Sequence, residues 1–143
     1  MDISVFLNEV KLNIRTAVII ETENGYIFEK DRKFGFFVIA GGRVRINESS
    51  EDAAKREIYE ELGIKINELK LKSIVESFFV YDSKNFHEIC FYYDYETSEK
   101  INIPEGFYIL SKEEIKQKII QPKILHEIIN SESREITHYI IYE

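Results

Sequence analysis

The sequence predicts an α+β fold, and three observations carry that prediction. β-Branched runs bounded by turn residues recur along the chain, one well-capped helical segment interrupts them near Glu51, and short helical segments precede a β-rich tail. At 143 residues with 44% hydrophobic side chains, there is room for one substantial core, and a single domain over 1–143 is expected. Neither an internal repeat nor a linker breaks the pattern.

The first strand is expected from Asn13 to Glu21 (NIRTAVIIE), turning at Asn24 and Gly25 into Tyr26, Ile27 and Phe28 as a hairpin. Phe36 to Ile39 is short and apolar and ends at Ala40-Gly41-Gly42, as a buried strand feeding a loop would. Ser49 and Ser50 before Glu51 and Asp52 form a helix start, and Gly63 is a left-handed stop, so the helix should run from Glu51 to Leu62. Its apolar stripe is Ala54, Ile58 and Leu62. Leu71 to Tyr81 and Phe86 to Glu96 read as two long strands around a turn at Asp82 to Asn85. Ile101 to Gly106 reads as a loop and Phe107 to Leu110 as a short strand. A capping box at Ser111 to Glu114 opens a helix to Ile120, Pro122 permits another through Ile129, and Thr137 to Glu143 is a last strand.

Composition narrows the partners. Nineteen basic against 26 acidic side chains give a formal charge of -7, which on average repels nucleic-acid backbones and anionic membranes. Phosphates remain accessible through a bridging cation. Cys90 is the single cysteine, so no intramolecular disulfide or CxxC site exists, and it is expected to pack as a small hydrophobe. The start MDISVFLNEVKLN has neither the basic end nor the apolar run of a signal peptide, and a cytoplasmic location is expected. An exposed apolar edge on the THYIIYE tail would suit a homodimer.

Chemistry concentrates in GGRVRINESSEDAAKREIYEELGI, Gly41 to Ile64. Glu57, Glu60 and Glu61 stand three and four residues apart, which places them within an arc of about 100° on the helix. Like charges so close need compensation. A hard divalent cation provides it, since oxygen ligands suit magnesium or manganese better than zinc. Arg56 is the other cation at hand, able to grip a carboxylate with two donors. Gly41 and Gly42 let backbone approach a ligand closely, and Glu48 is placed to fold back and hold the loop. For three glutamates alone, a solvated acidic face is the commoner reading. The full set of glycines, arginine and acids is far more specific.

Gly42 to Ile64 resembles a complete Nudix box, the signature of the Nudix hydrolase family. The order of strands around it and FYILSKEEI at Phe107 to Ile115 resemble the family's α/β/α sandwich with a central mixed sheet. That resemblance implies that Glu57, Glu60 and Glu61 ligate catalytic Mg2+ (or Mn2+), with the Gly41 carbonyl as a further ligand. It also implies that Arg56 orients the glutamates, while Gly42, Glu48 and Gly63 support the loop. The implied reaction is hydrolysis of a nucleoside diphosphate linked to another moiety, either a nucleoside triphosphate or a derivative such as a sugar or dinucleotide. Glu57 is the preferred base and Glu60 the next. The alternative is a catalytically silent nucleotide-sensing or partner-binding module of the same fold. One departure stands out: many members carry Pro where this chain has Ala40, so a more pliable loop entrance is expected.

Outside the box, Glu99 and Glu105 are candidates for a fourth acidic ligand, against exposed loop charge. Glu88, alternating with Phe86, Cys90 and Tyr92, is a candidate ligand or substrate contact, or else half of a cross-strand ion pair. Lys30 and Arg32 resemble in position the basic residues that some relatives use on phosphate. His87 and the aromatic residues Phe78, Phe79, Tyr81, Phe91, Tyr92 and Tyr93 are candidates for base contacts or for core.

Overall fold

The computed structural model describes residues 1–143. In chain order its elements are β1 (Ser4–Leu7), β2 (Val10–Thr22), β3 (Gly25–Lys30), β4 (Phe37–Val38), β5 (Gly41–Arg43), α1 (Ser50–Leu62), β6 (Lys70–Tyr81), β7 (Lys84–Glu96), β8 (Phe107–Leu110), α2 (Lys112–Lys116), α3 (Leu125–Asn130) and β9 (Thr137–Tyr142). All nine strands belong to one mixed sheet whose main path runs β4-β3-β2-β7-β6-β9.

Strand β2 holds the sheet together. One edge lies parallel to β7 along its whole length, from Val10 opposite Asn85 to Glu21 opposite Glu96. Its other edge is shared by three antiparallel strands: β1 covers Val10 to Asn13, β5 covers Arg15 to Ala17, and β3 covers Glu21 and Thr22. A strand enclosed in this way is buried on both faces, which explains the unbroken apolar run Ala17 to Ile20. Its alternation divides two cores. Ala17 and Ile19 join Phe28, Val75, Cys90, Tyr92, Leu125 and Ile128 on the side of α2 and α3. Val18 and Ile20 join Ile27, Ala54, Ile58, Leu62 and Tyr93 on the side of α1. Helices on both faces of a mixed sheet make the expected α/β/α sandwich.

Several elements differ from expectation. Strand β1 was not foreseen, and neither was β5, because Gly41 and Gly42 read as a loop; the structure pairs them with Ala17 and Thr16. Helix α2 stops at Lys116 rather than Ile120. The next residues are drawn out to β4 instead: the Phe37 N–H donates to the Ile119 carbonyl (2.9 Å) and the Gln121 N–H to the Phe37 carbonyl (2.9 Å). Helix α3 begins at Leu125, after the turn that Pro122 opens, rather than at Pro122 itself. Asp82 and Ser83, with φ of 50° and 64°, form a tight turn between β6 and β7. Ala40 is buried in the α1-side core, and its carbonyl accepts from the Val18 N–H at 3.0 Å. Edge strand β9 exposes Ile140 and Tyr142. No helix is long and apolar enough to cross a membrane.

Candidate active site

Helix α1 is fixed at both ends and along one side. The Ser49 hydroxyl accepts from the Asp52 N–H (3.0 Å), and Gly63 closes the helix at φ 70° with its N–H donating to the Tyr59 carbonyl. The Thr16 hydroxyl donates to the Ser50 carbonyl at 3.0 Å, and the Ser50 and Tyr93 hydroxyls share a 2.6 Å hydrogen bond. Ala53, Ala54, Ile58 and Leu62 are buried against the sheet. That docking fixes the rotation of the helix and turns Arg56, Glu57, Glu60 and Glu61 toward the loop from Gly41 to Ser49.

Arg56 is the hub of this edge. Its Nε donates to Glu48 Oε2 (2.7 Å) and its Nη2 to Glu48 Oε1 (2.9 Å), a two-point grip on one carboxylate. Nη1 donates to Glu57 Oε1 (2.9 Å), Nη2 also reaches the Arg43 carbonyl (3.2 Å), and Glu60 Oε2 lies 3.6 Å from Nη1. Glu48 accepts in addition from the Arg45 N–H at 3.1 Å, which closes the loop on itself. The bond from Arg56 holds the Glu48 carboxyl below its ordinary range, and the bond to Glu48 raises the guanidinium in turn.

Glu61 has no such relief. Its Oε2 is buried without a hydrogen-bond partner. Burial first, then the charges of Glu29 and Glu57, push its pKa up to about 8, with Arg15 opposing. No three His, Cys, Asp or Glu side chains are gathered as a ready-made metal cluster. The structure instead sets Glu61 against Glu57 and Glu29, with Glu60 at the exposed rim. A carboxylate with an orphaned oxygen beside other carboxylates is a donor set that fits a hard divalent cation.

Strand β5 divides this edge from a cavity. Its pleat sends Gly42 to the helix and Gly41 and Arg43 the other way. A Cβ on Gly42 would fall on the Glu57 carboxyl group, and one on Gly41 would collide with the Thr16 carbonyl and Ala17. Only glycines let β5 lie this close to both neighbours.

The cavity measures about 750 Å³ and is walled by β2, β4 to β7 and the start of α3. Asn13, Arg15 and Ala17 line it as alternate residues of β2, opposite Glu88, Cys90 and Tyr92 of β7. Asn13 Nδ2 donates to Glu88 Oε2 at 2.8 Å, so Glu88 makes a neutral-donor hydrogen bond rather than the cross-strand ion pair that was its alternative reading. Arg15 is half-buried, forms no ion pair, and places its charge between Glu61 and the cavity wall. Phe79 and Phe86 stack at 5.1 Å across the β6–β7 hairpin. Phe34, Phe36 and Tyr81 adjoin them, and the Lys33–Asp82 ion pair (2.9 Å) fastens the loop after β3 to the hairpin tip.

Other predicted residues stand farther off. Glu99 and Glu105 are exposed on the loop before β8, outside the cavity lining. Lys30 is exposed at the end of β3 with Nζ 5.9 Å from the Phe37 ring centre, and Arg32, also exposed, bears electrostatically on Glu29. His87 faces away from the cavity against Phe78, their ring centres 4.4 Å apart. Phe79, Tyr81 and Tyr92 line the cavity, whereas Phe91 and Tyr93 pack on the α1 side. Sequence reading passed over Asn13, Arg15 and Glu29. For the first two the signal was present: polar side chains at alternate positions of an otherwise apolar strand.

Comparison with known proteins places this geometry. The NUDIX domain family matches residues 11–139. No curated protein matches the chain by sequence. Among solved structures, a MutT protein from Bacillus halodurans superposes with a TM-score of 0.71 at 22% identity, covering 90% of each chain. A MutT NUDIX hydrolase from Burkholderia pseudomallei gives 0.65 at 19% identity, over 80% of this chain and 95% of that one. The Ap4A hydrolase of C. elegans gives 0.62 at 13% identity, over 82% and 93%. At these identities the structures show a common fold, while the family match spans nearly the whole chain. The chain therefore belongs to the NUDIX domain family, a family of hydrolases acting on pyrophosphate bonds.

Proposed function

We propose that this hydrolase cleaves a nucleoside diphosphate linked to another moiety, in a magnesium- or manganese-dependent reaction in which water attacks phosphorus. The observation that carries the reading is Glu61, a half-buried carboxyl beside Glu57 and Glu29 with one buried oxygen unpartnered, whose neighbouring charge Arg15 lines a nucleoside-sized cavity.

Glu57, Glu60 and Glu61, with the Gly41 carbonyl, are the groups that would hold the ion. When bound, it neutralises charge on the diphosphate oxygens. The chain's own residues do the rest. Arg15 and Arg43, facing each other across β2 and β5, hold the diphosphate where the cavity meets the glutamate edge. Arg56 pins Glu57 through Oε1, leaving Oε2 to take the proton from the attacking water. Glu48 and Gly42 keep that carboxylate in place, the one through Arg56 and the other by yielding space. Aromatic walls at Phe79 and Phe86 accommodate a ring and exclude water from one side. The substrate class spans nucleoside triphosphates and dinucleotides; among proteins of similar fold, one is named an Ap4A hydrolase.

A panel of nucleotides assayed for phosphate or pyrophosphate release, with magnesium and with manganese, tests the reading. Metal-dependent release from at least one compound is expected, falling by about three orders of magnitude in Glu57→Gln with the fold intact. Tight nucleotide binding without release would sink it in favour of a sensing module.

A further inference from the structure

The floor of the cavity carries a row of polar side chains that the hydrolytic reading does not use. Asn13, Glu88 and Ser77 sit opposite one another on three adjacent strands, β2, β7 and β6, and all three face the cavity. On β6 and β7 the flanking rows are apolar or aromatic, Phe86 and Phe79 on one side and Cys90 and Val75 on the other, with Arg15 beside Cys90 on β2. Asn13 is 1% exposed and Ser77 8% exposed, so this polarity is built into the interior. It needs a purpose.

The orientation of Asn13 is fixed. Its Nδ2 donates to Glu88 Oε2, so its Oδ1 must point elsewhere, and that oxygen is buried with no partner. Rotating the amide would set oxygen against the Glu88 oxygen. The pair thus offers two acceptors, Asn13 Oδ1 and the second Glu88 oxygen, and Ser77 adds a hydroxyl that can donate. Across the sheet the order is acceptor, acceptor, donor.

We infer that Glu88, positioned by Asn13, selects a guanine-type ring, the 2-amino-6-oxopurine edge of a guanine nucleotide. That edge presents an exocyclic amino group, a ring N–H and a carbonyl oxygen in sequence: donor, donor, acceptor. Adenine places a ring acceptor where Glu88 requires a donor. Uracil and thymine present one N–H between two carbonyl oxygens, and cytosine presents one amino group beside a ring acceptor. The stacked Phe79 and Phe86 rings supply an apolar wall one row away. This inference rests on the nucleotide reading of the site and names the base it takes.

Calorimetric titration of the full chain with GDP, IDP, ADP and UDP in magnesium tests it apart from turnover. IDP differs from GDP only by lacking the 2-amino group. GDP should bind about 3- to 10-fold more tightly than IDP, since the 2-amino group meets the neutral Asn13 oxygen and such a bond is worth about that factor. ADP and UDP should be weaker than GDP by at least as much. In Glu88→Gln the GDP and IDP affinities should both fall about 10-fold toward that of ADP, since Glu88 takes the ring N–H that the two share, an effect that general loosening of the fold would not produce selectively. Equal affinities in the parent, no binding of any of the four, or a preference for GDP over ADP preserved in Glu88→Gln each overturns the inference. Equal affinities alongside hydrolysis leave the proposed reaction standing, whereas a guanine preference without hydrolysis sinks only the reaction. Should Glu88→Gln fail to fold, the ranking in the parent decides.

Discussion

Removing the charge of Glu61 should stabilise the metal-free protein at neutral pH while abolishing its response to divalent cations. The carboxyl ordinarily titrates at 4.5 and is pushed up to about 8, chiefly by burial and then by Glu29 and Glu57. A group whose pKa is raised in the folded state binds its proton more tightly there than in the unfolded chain. Folded stability is therefore greatest below the unfolded value and declines as pH rises from about 4.5 to about 8. At about 1.4 kcal/mol per unit the full shift corresponds to about 5 kcal/mol. The site is partly open to solvent, and screening leaves about 1–2 kcal/mol. For a chain of this size that is a melting-temperature difference of about 3–8 °C. Thermal melts of the parent and Glu61→Gln in EDTA, from about pH 5 to pH 8.5, read the difference directly. The two should melt together at the acid end, where both side chains are neutral, and diverge with the variant on top as pH rises. Magnesium or manganese should then lift the parent at the alkaline end and leave the variant nearly unmoved. Parallel curves across the whole range would refute the account of Glu61 as a strained carboxyl awaiting a cation.

Arg56→Lys keeps a charge but loses the two-point grip on Glu48 and the bond to the Arg43 carbonyl, so urea melts should show about 2–3 kcal/mol less stability, with turnover falling as well. Gly42→Ala drives a methyl group into the Glu57 carboxyl, a flexible side chain that can move aside; kcat/KM should fall at least about 100-fold while the melting temperature changes little. Cys90 is buried with its thiol pushed up to about 12 by that burial, so iodoacetamide at pH ~8 should leave the native protein unmodified by mass and label it fully in urea.

The parts legible in the sequence were those with local causes. Ser49, Ser50 and Gly63 mark the ends of α1 within one residue, because caps act over a single turn. The long pair β6–β7 follows from alternation around Asp82 and Ser83. What escaped was set by distant contacts. Gly41 and Gly42 carry no strand propensity and become β5 only because β2 has an open edge between β1 and β3. Helix α2 is cut short by a strand some 80 residues earlier in the chain, which no local rule registers. Within the site, helical spacing placed Glu57, Glu60 and Glu61 on one side of α1, but gave no hint that Glu61 is half-buried with an orphaned oxygen while Glu60 is exposed. The charges that act on Glu61 beyond the helix, Glu29 and Arg15, lie on strands far from it in sequence.

The two faces of β5 also separate two tasks within a few residues of chain. Gly42 is locked against Glu57, whereas Arg43, next to it in sequence, faces the cavity. A change at 43 alters the charge that the cavity presents, and a change at 42 alters where the Glu57 carboxylate stands. The three-residue strand is thus a bulkhead between two compartments, one residue serving the cavity and its neighbour the glutamates behind the wall.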